Sequence, residues 1–189
     1  AGLWVAGISF CVVTGAENDP KRIRRKKKLW IRKLFELVLF AVGAGAVLVA
    51  LLINVNGMDP AYVGRTFALA IMTSVAFTAI AYFFNIILGK VGSFVLLVLL
   101  VLQLGCAGGT YPLDLSPSIY RTMKPFFPFS YAVDGFRMTI ATGQDITGIM
   151  LVLAGFAAVF IALSIIVTTV KVKSKNEKKY GLSRLLDEA

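Results

Sequence analysis

The sequence contains no histidine and only two cysteines, Cys11 and Cys106, among its 189 residues. It therefore offers no ligand set for a Cys/His metal site and no disulfide framework. Both cysteines lie in apolar segments, where we expect them to be small buried side chains. No paired carboxylates share an apolar setting, so acid–base or nucleophilic catalysis has no evident site. We expect a protein that is not an enzyme and that binds no cofactor and no metal.

Charged residues are also scarce, and their distribution is uneven. Only 16% of the residues are charged and 58% are hydrophobic, whereas soluble domains average about 25% charged and about 45–50% apolar residues. The apolar residues form long blocks, which a lipid solvent requires and a globular core does not. The net charge of +10 comes from basic residues between and after these blocks. This distribution indicates membrane topology and argues against nucleic acid as a partner.

The apolar blocks predict an all-α, polytopic membrane protein with about five transmembrane helices. The positive-inside rule places three basic segments in the cytoplasm: the loop at residues 21–33, the loop with Lys90, and a tail at residues 171–189. The opposite side then carries the turn at residues 54–65 and the segment at residues 110–145. The predicted transmembrane domain covers residues 1–170, with spans at residues 1–16, 34–54, 66–88, 92–109 and 146–170.

The first apolar segment, residues 1–16, is short for a complete span. No basic stretch precedes it, so it does not resemble a signal peptide. The predicted topology puts Ala1 at the outer face. We therefore expect this segment to be part of a re-entering span, with an extracytoplasmic domain upstream and six crossings in the intact protein.

A run of basic residues follows the first span and is the strongest charge feature of the chain. Fixing the topology is a sufficient role for it. Two further roles are open: binding anionic lipid headgroups, or contacting a cytoplasmic partner such as an ATPase. Salt-sensitive loss of a partner on neutralising the run would favour the last role. The candidate contact residues are Lys21, Arg22, Arg24, Arg25, Lys26, Lys27 and Lys28.

The segment at residues 110–145 is unlike the other connections because it is rich in aromatic residues and prolines. Ser116 and Pro117 predict the start of a short helix, and Pro125 predicts its end. A second helix, amphipathic and of about three turns, is predicted from its apolar periodicity. Its apolar positions are Phe129, Ala132, Val133, Phe136 and Ile140, with Ser130, Asp134 and Arg137 on other faces.

Neither of these helices is long enough to cross a bilayer. We predict a helical hairpin at the outer membrane interface that caps a translocation route or docks an outer domain. The alternative is an ordinary extracellular loop resting on lipid. Asp134 and Arg137 are spaced as an exposed i, i+3 pair. Asn85 and Gln103, inside the spans, are expected to form hydrogen bonds between neighbouring helices.

These residues carry a resemblance to a known family. The arrangement of spans and hairpin resembles the membrane domain of type-2 ABC exporter permeases, and the hairpin sequence is similar to the C-terminal signature of the YhgE/Pip (phage infection protein) family. The matching residues are Gln103, Gly108, Gly109, Thr110, Tyr111, Pro112, the segment Pro125–Ala132, Gly135, Phe136 and Arg137. Within this set we take Gly108, Gly109, Tyr111, Pro112, Pro125, Phe126, Pro128, Tyr131, Gly135 and Arg137 as candidate functional residues.

The resemblance implies a noncatalytic membrane domain that anchors a large extracytoplasmic domain in the cell membrane of a Gram-positive bacterium. It implies a homodimer in the lipid bilayer, and a phage-receptor or type VII secretion-related role. The alternative function is an exporter permease that moves a lipid, drug or polymer. The sequence has no GxxxxGK[ST] motif, so an ATPase would be a separate polypeptide. A third reading is a secretion-system subunit whose spans serve protein contacts alone.

Overall fold

A computed structural model describes residues 1–14, 26–108, 118–142 and 145–187 of the chain. These ranges are helical, with no β-strand among them, which confirms the predicted all-α fold. A 3₁₀ turn, Lys124–Phe126, links α5 to α6, and a π-helical turn, Met138–Thr142, follows α6. The helices are α1 Gly2–Val13, α2 Lys26–Asn54, α3 Val63–Leu88, α4 Lys90–Cys106, α5 Ser118–Met123, α6 Pro128–Arg137 and α7 Thr147–Asp187.

The described residues include three helical segments that are long and apolar enough to cross a membrane. They are Arg32–Asn54 of α2, Val63–Leu88 of α3 and Thr147–Val170 of α7. Two apolar helices are shorter: α1, with 12 residues, and Val91–Cys106 of α4. At 1.5 Å per residue, α1 extends about 18 Å, which is less than the bilayer core of about 30 Å. The protein is therefore a helical membrane protein, and crossings by α1 and α4 remain predictions.

Helix α3 lies at the centre of the bundle and contacts α1, α2, α4, α6 and α7. In its apolar 18-residue stretch, 56% of the residues are buried within the protein, against 22% in the corresponding stretch of α2 and 17% in that of α7. Small and polar residues explain this position, because short side chains let neighbouring backbones approach closely. Thr66, Ala70, Thr73 and Ala76 on α3 are almost fully buried.

Glycines on two neighbouring helices lie directly against the α3 backbone. A Cβ added to Gly45 of α2 would lie 2.8 Å from the Ile71 Cα, and one added to Gly92 of α4 would lie 2.6 Å from the Phe84 carbonyl oxygen. Any side chain there would overlap backbone atoms that cannot rotate away. These contacts fix how close α2 and α4 come to α3.

Trp4 attaches the short helix α1 to the rest of the bundle. Its indole Nε1 donates a 3.0 Å hydrogen bond to the Leu96 carbonyl oxygen on α4. Its ring meets Phe77 of α3 edge to face, with centroids 5.0 Å apart. The side chain is only 1% exposed. One residue therefore links α1, α3 and α4, and buries an indole N–H that would otherwise lack a partner.

Candidate functional site at the α6 end of the bundle

Helix α6 packs across the end of the bundle where α3 begins and α4 ends; we call this end the α6 end. Phe127 is extended and Pro128 occupies the first turn of α6, where proline fits because its missing N–H needs no partner. The regular helix stops at Arg137, and the π-helical turn extends it to Thr142. The predicted amphipathic helix is therefore present, but its last predicted turn is wound differently.

One side of α6 enters the core formed by α1, α3 and α4. Phe129 stacks on Phe77 of α3, with ring centroids 5.9 Å apart and an interplanar angle of 8°. Phe129 and Ala132 are 5% and 4% exposed and pack with Leu100 of α4. The segment is therefore not a loop that rests only on lipid, because its apolar face is covered by the protein's own helices.

The opposite side of α6 packs against α3 and α7. Phe136 and Tyr131 join a second apolar cluster, in which Leu69 of α3 and Leu153 of α7 are fully buried. The Tyr131 ring also lies 6.4 Å from that of Phe156 on α7. Helix α6 thus lies between α4 and α7 and packs along the first half of α3, from Leu69 to Phe77.

Gly135 gives α6 its close approach to α3. A Cβ at this position would lie 2.9 Å from Cδ2 of Leu69 and 3.2 Å from Cγ2 of Ile149. The atoms it would meet are the ends of side chains, which can shift, unlike the backbone atoms facing Gly45. Gly135 is therefore a packing residue, and the sequence signal that identified it was its place in the hairpin motif.

Arg137 and Gly108, both predicted as site residues, are in contact. The Arg137 guanidinium donates a hydrogen bond to the Gly108 carbonyl oxygen. Gly108 follows the C-cap of α4 with φ +61°, a left-handed conformation that glycine adopts without strain. The bond gives a partner to the carbonyl of the residue that directly follows the C-cap of α4. It ties the last residue of α6 to the end of α4.

The predicted pairing of Asp134 with Arg137 is wrong. Asp134 instead forms an ion pair with Lys124, with 2.7 Å between Oδ2 and Nζ, and Arg137 reaches the α4 end. Helical spacing places Asp134 and Arg137 within reach of each other, but partners outside α6 take both side chains. Lys124 was missed because no helical period connects it to Asp134 across the proline-rich turn.

Ser130 also lies differently from its prediction. The apolar periodicity predicts that it lies on a face away from the apolar positions, yet its side chain is 1% exposed and its hydroxyl is enclosed. Both sides of α6 pack on other helices, so a position outside the apolar stripe is still buried. An amphipathic pattern alone does not reveal this second layer of packing.

The remaining hairpin residues lie at the turn before α6. Pro125 belongs to the 3₁₀ turn, and its carbonyl accepts a 3.2 Å hydrogen bond from the Tyr131 hydroxyl. Phe126 is 75% exposed, which leaves an aromatic ring at the tip of the turn. Helix α5 ends at Met123, two residues before the proline predicted to stop it.

Several predicted site residues have no described surroundings. Gly109, Tyr111 and Pro112 lie outside the described residues, as do Lys21, Arg22, Arg24 and Arg25 of the basic run. Lys26, Lys27 and Lys28 form the first turn of α2. Their roles stay predictions.

The two polar residues predicted to link helices behave differently. Asn85 of α3 accepts a 3.1 Å hydrogen bond from the Ser93 hydroxyl of α4 through Oδ1, as predicted, and donates to the Ala81 carbonyl of its own helix. Gln103 of α4 is 0% exposed, and its amide has no hydrogen-bond partner among the described residues. The predicted interhelical bond is therefore found for Asn85 and not for Gln103.

Asp145 lies at the start of α7, beside the α6 end. Its carboxylate accepts hydrogen bonds from the hydroxyl and the backbone N–H of Thr147, at 2.7 and 3.2 Å. These bonds, with a smaller effect of the Arg65 charge, lower the pKa of the Asp145 carboxyl below its ordinary value. The charged carboxylate therefore caps the free N–H groups of the first turn of α7.

The comparisons with known proteins agree with this architecture. Residues 25–166 match the model of a family described as ABC-2 family transporter protein. The chain belongs to this family. It is also 34% identical over 169 residues to the "Uncharacterized protein YhgE" of Bacillus subtilis (strain 168), a match that covers 87% of this chain.

The match to YhgE confirms the resemblance inferred from the hairpin residues. The chain spans about a fifth of that relative's length, since the match covers 21% of it. No solved structure matches the chain. Helix α6 and the two bonds at its rim, Lys124–Asp134 and Arg137–Gly108, distinguish this site from an ordinary connection between two spans.

Proposed function

We propose that this chain is a permease-type membrane domain that works as a homodimer with a separate ATPase and moves a lipid, drug or polymer across the cell membrane. The observation that carries the proposal is the packing of α6. A segment too short to cross the bilayer is built into the bundle through Phe129 and Gly135, between α3, α4 and α7. Membership of the ABC-2 transporter family supports the same function.

In this proposal the chain forms the membrane path and the separate ATPase hydrolyses ATP. The sequence carries no phosphate-binding loop, so ATP hydrolysis belongs to the partner. In the orientation that the basic segments favour, α6 covers the outer end of the bundle, and the run Lys21–Lys28 faces the cytoplasm. An ATPase or anionic lipid would contact that run. The organism of the matched relative supports a Gram-positive cell membrane as the location.

Co-reconstitution tests the proposal. The full chain is placed in liposomes with an ATPase encoded next to its gene, and ATP hydrolysis is measured with and without the chain. We expect the chain to stimulate hydrolysis and Phe129→Ala to abolish the stimulation, because that substitution removes the ring stacked on Phe77. Phe94→Ala is the matched control, since Phe94 of α4 is 68% exposed and should behave as wild type.

Circular dichroism and gel filtration establish that each variant is folded before it is compared. No stimulation by the wild-type chain, or stimulation by Phe129→Ala equal to that of the wild type, would contradict the permease role.

A second candidate function is anchoring. The resemblance to the YhgE/Pip family implies a large extracytoplasmic part, and the chain spans only about a fifth of the relative it matches. The helices would then hold that part at the membrane. In this role the outer part would carry the phage-receptor or secretion-related activity, and the helices would supply only attachment.

Exchanging the helices separates the two candidates. In the full-length gene product, the segment that corresponds to this chain is replaced by an unrelated membrane domain with the same number of crossings. Anchoring predicts that phage adsorption or secretion continues with the exchanged domain. A permease predicts that activity is lost although the outer part still reaches the cell surface.

A further inference from the structure

Four buried side chains of α3, α4 and α6 have polar atoms with no hydrogen-bond partner among the described residues. They are Thr73 and Ser74 of α3, Gln103 of α4 and Ser130 of α6, each 0–1% exposed. An unpaired polar group inside a protein costs free energy, and a lipid surrounding offers no water to relieve it. Four such groups need a physical explanation.

Other buried hydroxyl groups in the bundle form hydrogen bonds within their own helix. Thr66 and Thr78 of α3 donate to the carbonyl four residues earlier, at 3.0 and 2.7 Å, and Ser164 of α7 does the same at 2.7 Å. Thr73 and Ser74 could use such a bond and do not. Their hydroxyl groups are therefore available to a partner outside their own helix.

The register of α3 and α4 puts Ser74 and Gln103 at one level. The two helices are antiparallel and meet at the contact of Ser93 with Asn85. One turn farther along come Ala81 of α3 and Leu96 of α4, and two turns farther along come Phe77 of α3 and Leu100 of α4. All four belong to one core cluster. One more turn along both helices leads to Ser74 on α3 and Gln103 on α4.

Helix α6 brings the other polar groups to the same level. Phe129 stacks on Phe77, and Ser130 follows Phe129 directly in the chain. Thr73 lies one turn from Phe77 on α3, toward the α6 end. The unpaired groups thus come from α3, α4 and α6 and lie toward the α6 end, while the paired Asn85 and Ser93 lie at the other end of α3 and α4.

We infer that Thr73, Ser74, Gln103 and Ser130 form a binding site for a neutral, hydroxyl-bearing group, which is closed in this structure and opens when α6 moves away from α3 and α4. The inference rests on the proposed permease function for its biological use. Its physical basis is that a ligand or water molecule that enters on opening would give hydrogen-bond partners to four unpaired groups at once.

The chemistry of the lining selects a neutral ligand. Hydroxyl and amide groups both donate and accept, and a water molecule or an alcohol presents both functions in return. The charged side chains nearest in the fold are engaged elsewhere, Lys124 with Asp134 and Arg137 with the Gly108 carbonyl. The site therefore offers no free countercharge to an ion among these residues.

Helix α6 is the element best suited to move. Its rim is held by the Lys124–Asp134 ion pair and the Arg137–Gly108 bond, both of which can exchange with water. By contrast, α2 and α4 meet α3 through glycine–backbone contacts at Gly45 and Gly92. Moving α6 breaks side-chain contacts, including those of Phe129 and Gly135, whereas parting α3 from α2 or α4 also separates a glycine from the α3 backbone.

Thiol labelling tests the inference. Replacing Cys11 and Cys106 by alanine gives a background without cysteine, into which Ser74→Cys or Ser130→Cys is introduced in the full chain in liposomes. The probe is the neutral hydroxyethyl methanethiosulfonate, compared with its charged trimethylammonium counterpart. Ala81→Cys is the matched control, because Ala81 is 1% exposed and packs in the apolar part of the same helices.

We expect Ser74→Cys and Ser130→Cys to react with the neutral reagent at least about tenfold faster than Ala81→Cys, as for a site that opens to a minor population. The charged reagent should react more slowly than the neutral one at both positions. Rates equal to that of Ala81→Cys, or equal rates for the two reagents, would overturn the inference.

An apolar replacement gives a second measurement. The double variant Ser74→Ala, Gln103→Leu removes unpaired groups, so we expect a higher unfolding temperature and slower labelling at Ser130→Cys. A lower unfolding temperature would mean that these groups already have partners, and would overturn the inference. Labelling needs no ATPase, so a chain that is labelled as expected but stimulates no hydrolysis would refute the permease role and leave the site in place.

Discussion

The guanidinium of Arg137 and the carbonyl of Gly108, 29 residues apart in the chain, form a hydrogen bond that joins the end of α6 to the end of α4. Together with the Lys124–Asp134 ion pair, it surrounds the apolar contacts of α6 with a polar rim. The apolar contacts supply most of the attachment, because each buried side chain contributes more than a partly exposed ion pair. The rim fixes where α6 lies.

A double-mutant cycle tests this arrangement of charges. Lys124→Ala, Asp134→Ala and the double variant should give a coupling of about 0.5–1 kcal/mol, because the two side chains are only 31% and 29% exposed. The same cycle for Asp134 and Arg137 should give almost none. Unfolding in mixed micelles is followed with a thiol-reactive dye, since both cysteines are buried in the folded chain.

Arg32 and Glu36 on α2 provide the control for that cycle. Their ion pair has a similar length, 2.9 Å, but its side chains are 75% and 43% exposed. Its coupling should be a few tenths of a kcal/mol, about the value for exposed i, i+4 pairs. A larger coupling for Asp134 with Arg137 than with Lys124 would show that the sequence-based pairing was right.

The loss of stability on replacing a glycine by alanine should depend on which atoms the new Cβ contacts. Gly45→Ala should destabilise the protein by about 1–3 kcal/mol, because the methyl group would overlap the backbone of α3. Gly135→Ala should cost less, since the Leu69 side chain can shift. Gly155→Ala on α7, where nothing lies within 4 Å, should stabilise by about 0.5–1 kcal/mol through helix propensity.

A compensating change sharpens this series. Combining Gly135→Ala with Leu69→Val shortens the side chain that the new methyl group meets, so part of the loss should be recovered. The same Leu69→Val change should not rescue Gly45→Ala, whose obstacle is backbone. Equal unfolding temperatures for the Gly45→Ala and Gly155→Ala variants would contradict the packing described for α3.

The sequence predicts this fold well wherever the signal is local. Apolar blocks identify α2, α3 and α7, because a bilayer-crossing helix must be apolar along its whole length. The hairpin signal at Pro128–Arg137 is local as well. The central position of α3 has a weaker signal, the replacement of leucine and valine by alanine and threonine between Thr66 and Ala81.

The contacts at the α6 end depend on tertiary structure and could not be predicted in the same way. Spacing along α6 suggested Asp134 with Arg137, but the fold supplies Lys124 and Gly108 as partners from other elements. Ser130 appeared to lie on a polar face because the sequence does not show that α3, α4 and α7 surround α6. Apolar periodicity identifies one buried face of a helix. It does not identify a second buried face when the helix is packed on two sides.

Asp145 should make the stability of the α7 start depend on pH. The hydrogen bonds from Thr147 lower the pKa of the Asp145 carboxyl below its ordinary value of 3.8 in the folded chain. A carboxyl whose pKa is lower in the folded state stabilises it above that ordinary value, and the stabilisation is lost as the pH falls through the folded-state pKa. The difference in stability between wild type and Asp145→Asn should therefore decrease as the pH is lowered from about 6 to about 3.

Thr147, which donates both hydrogen bonds to Asp145, provides the control for this prediction. Thr147→Val removes the hydroxyl that donates at 2.7 Å but keeps the backbone N–H. In the Thr147→Val background, the pH-dependent effect of Asp145→Asn should therefore shrink without vanishing. The measurement is the unfolding temperature of wild type, the two single variants and the double variant across that pH range. A difference between wild type and Asp145→Asn that stays constant with pH would show that the carboxylate is not stabilised by these bonds, and that α7 begins without a charged cap.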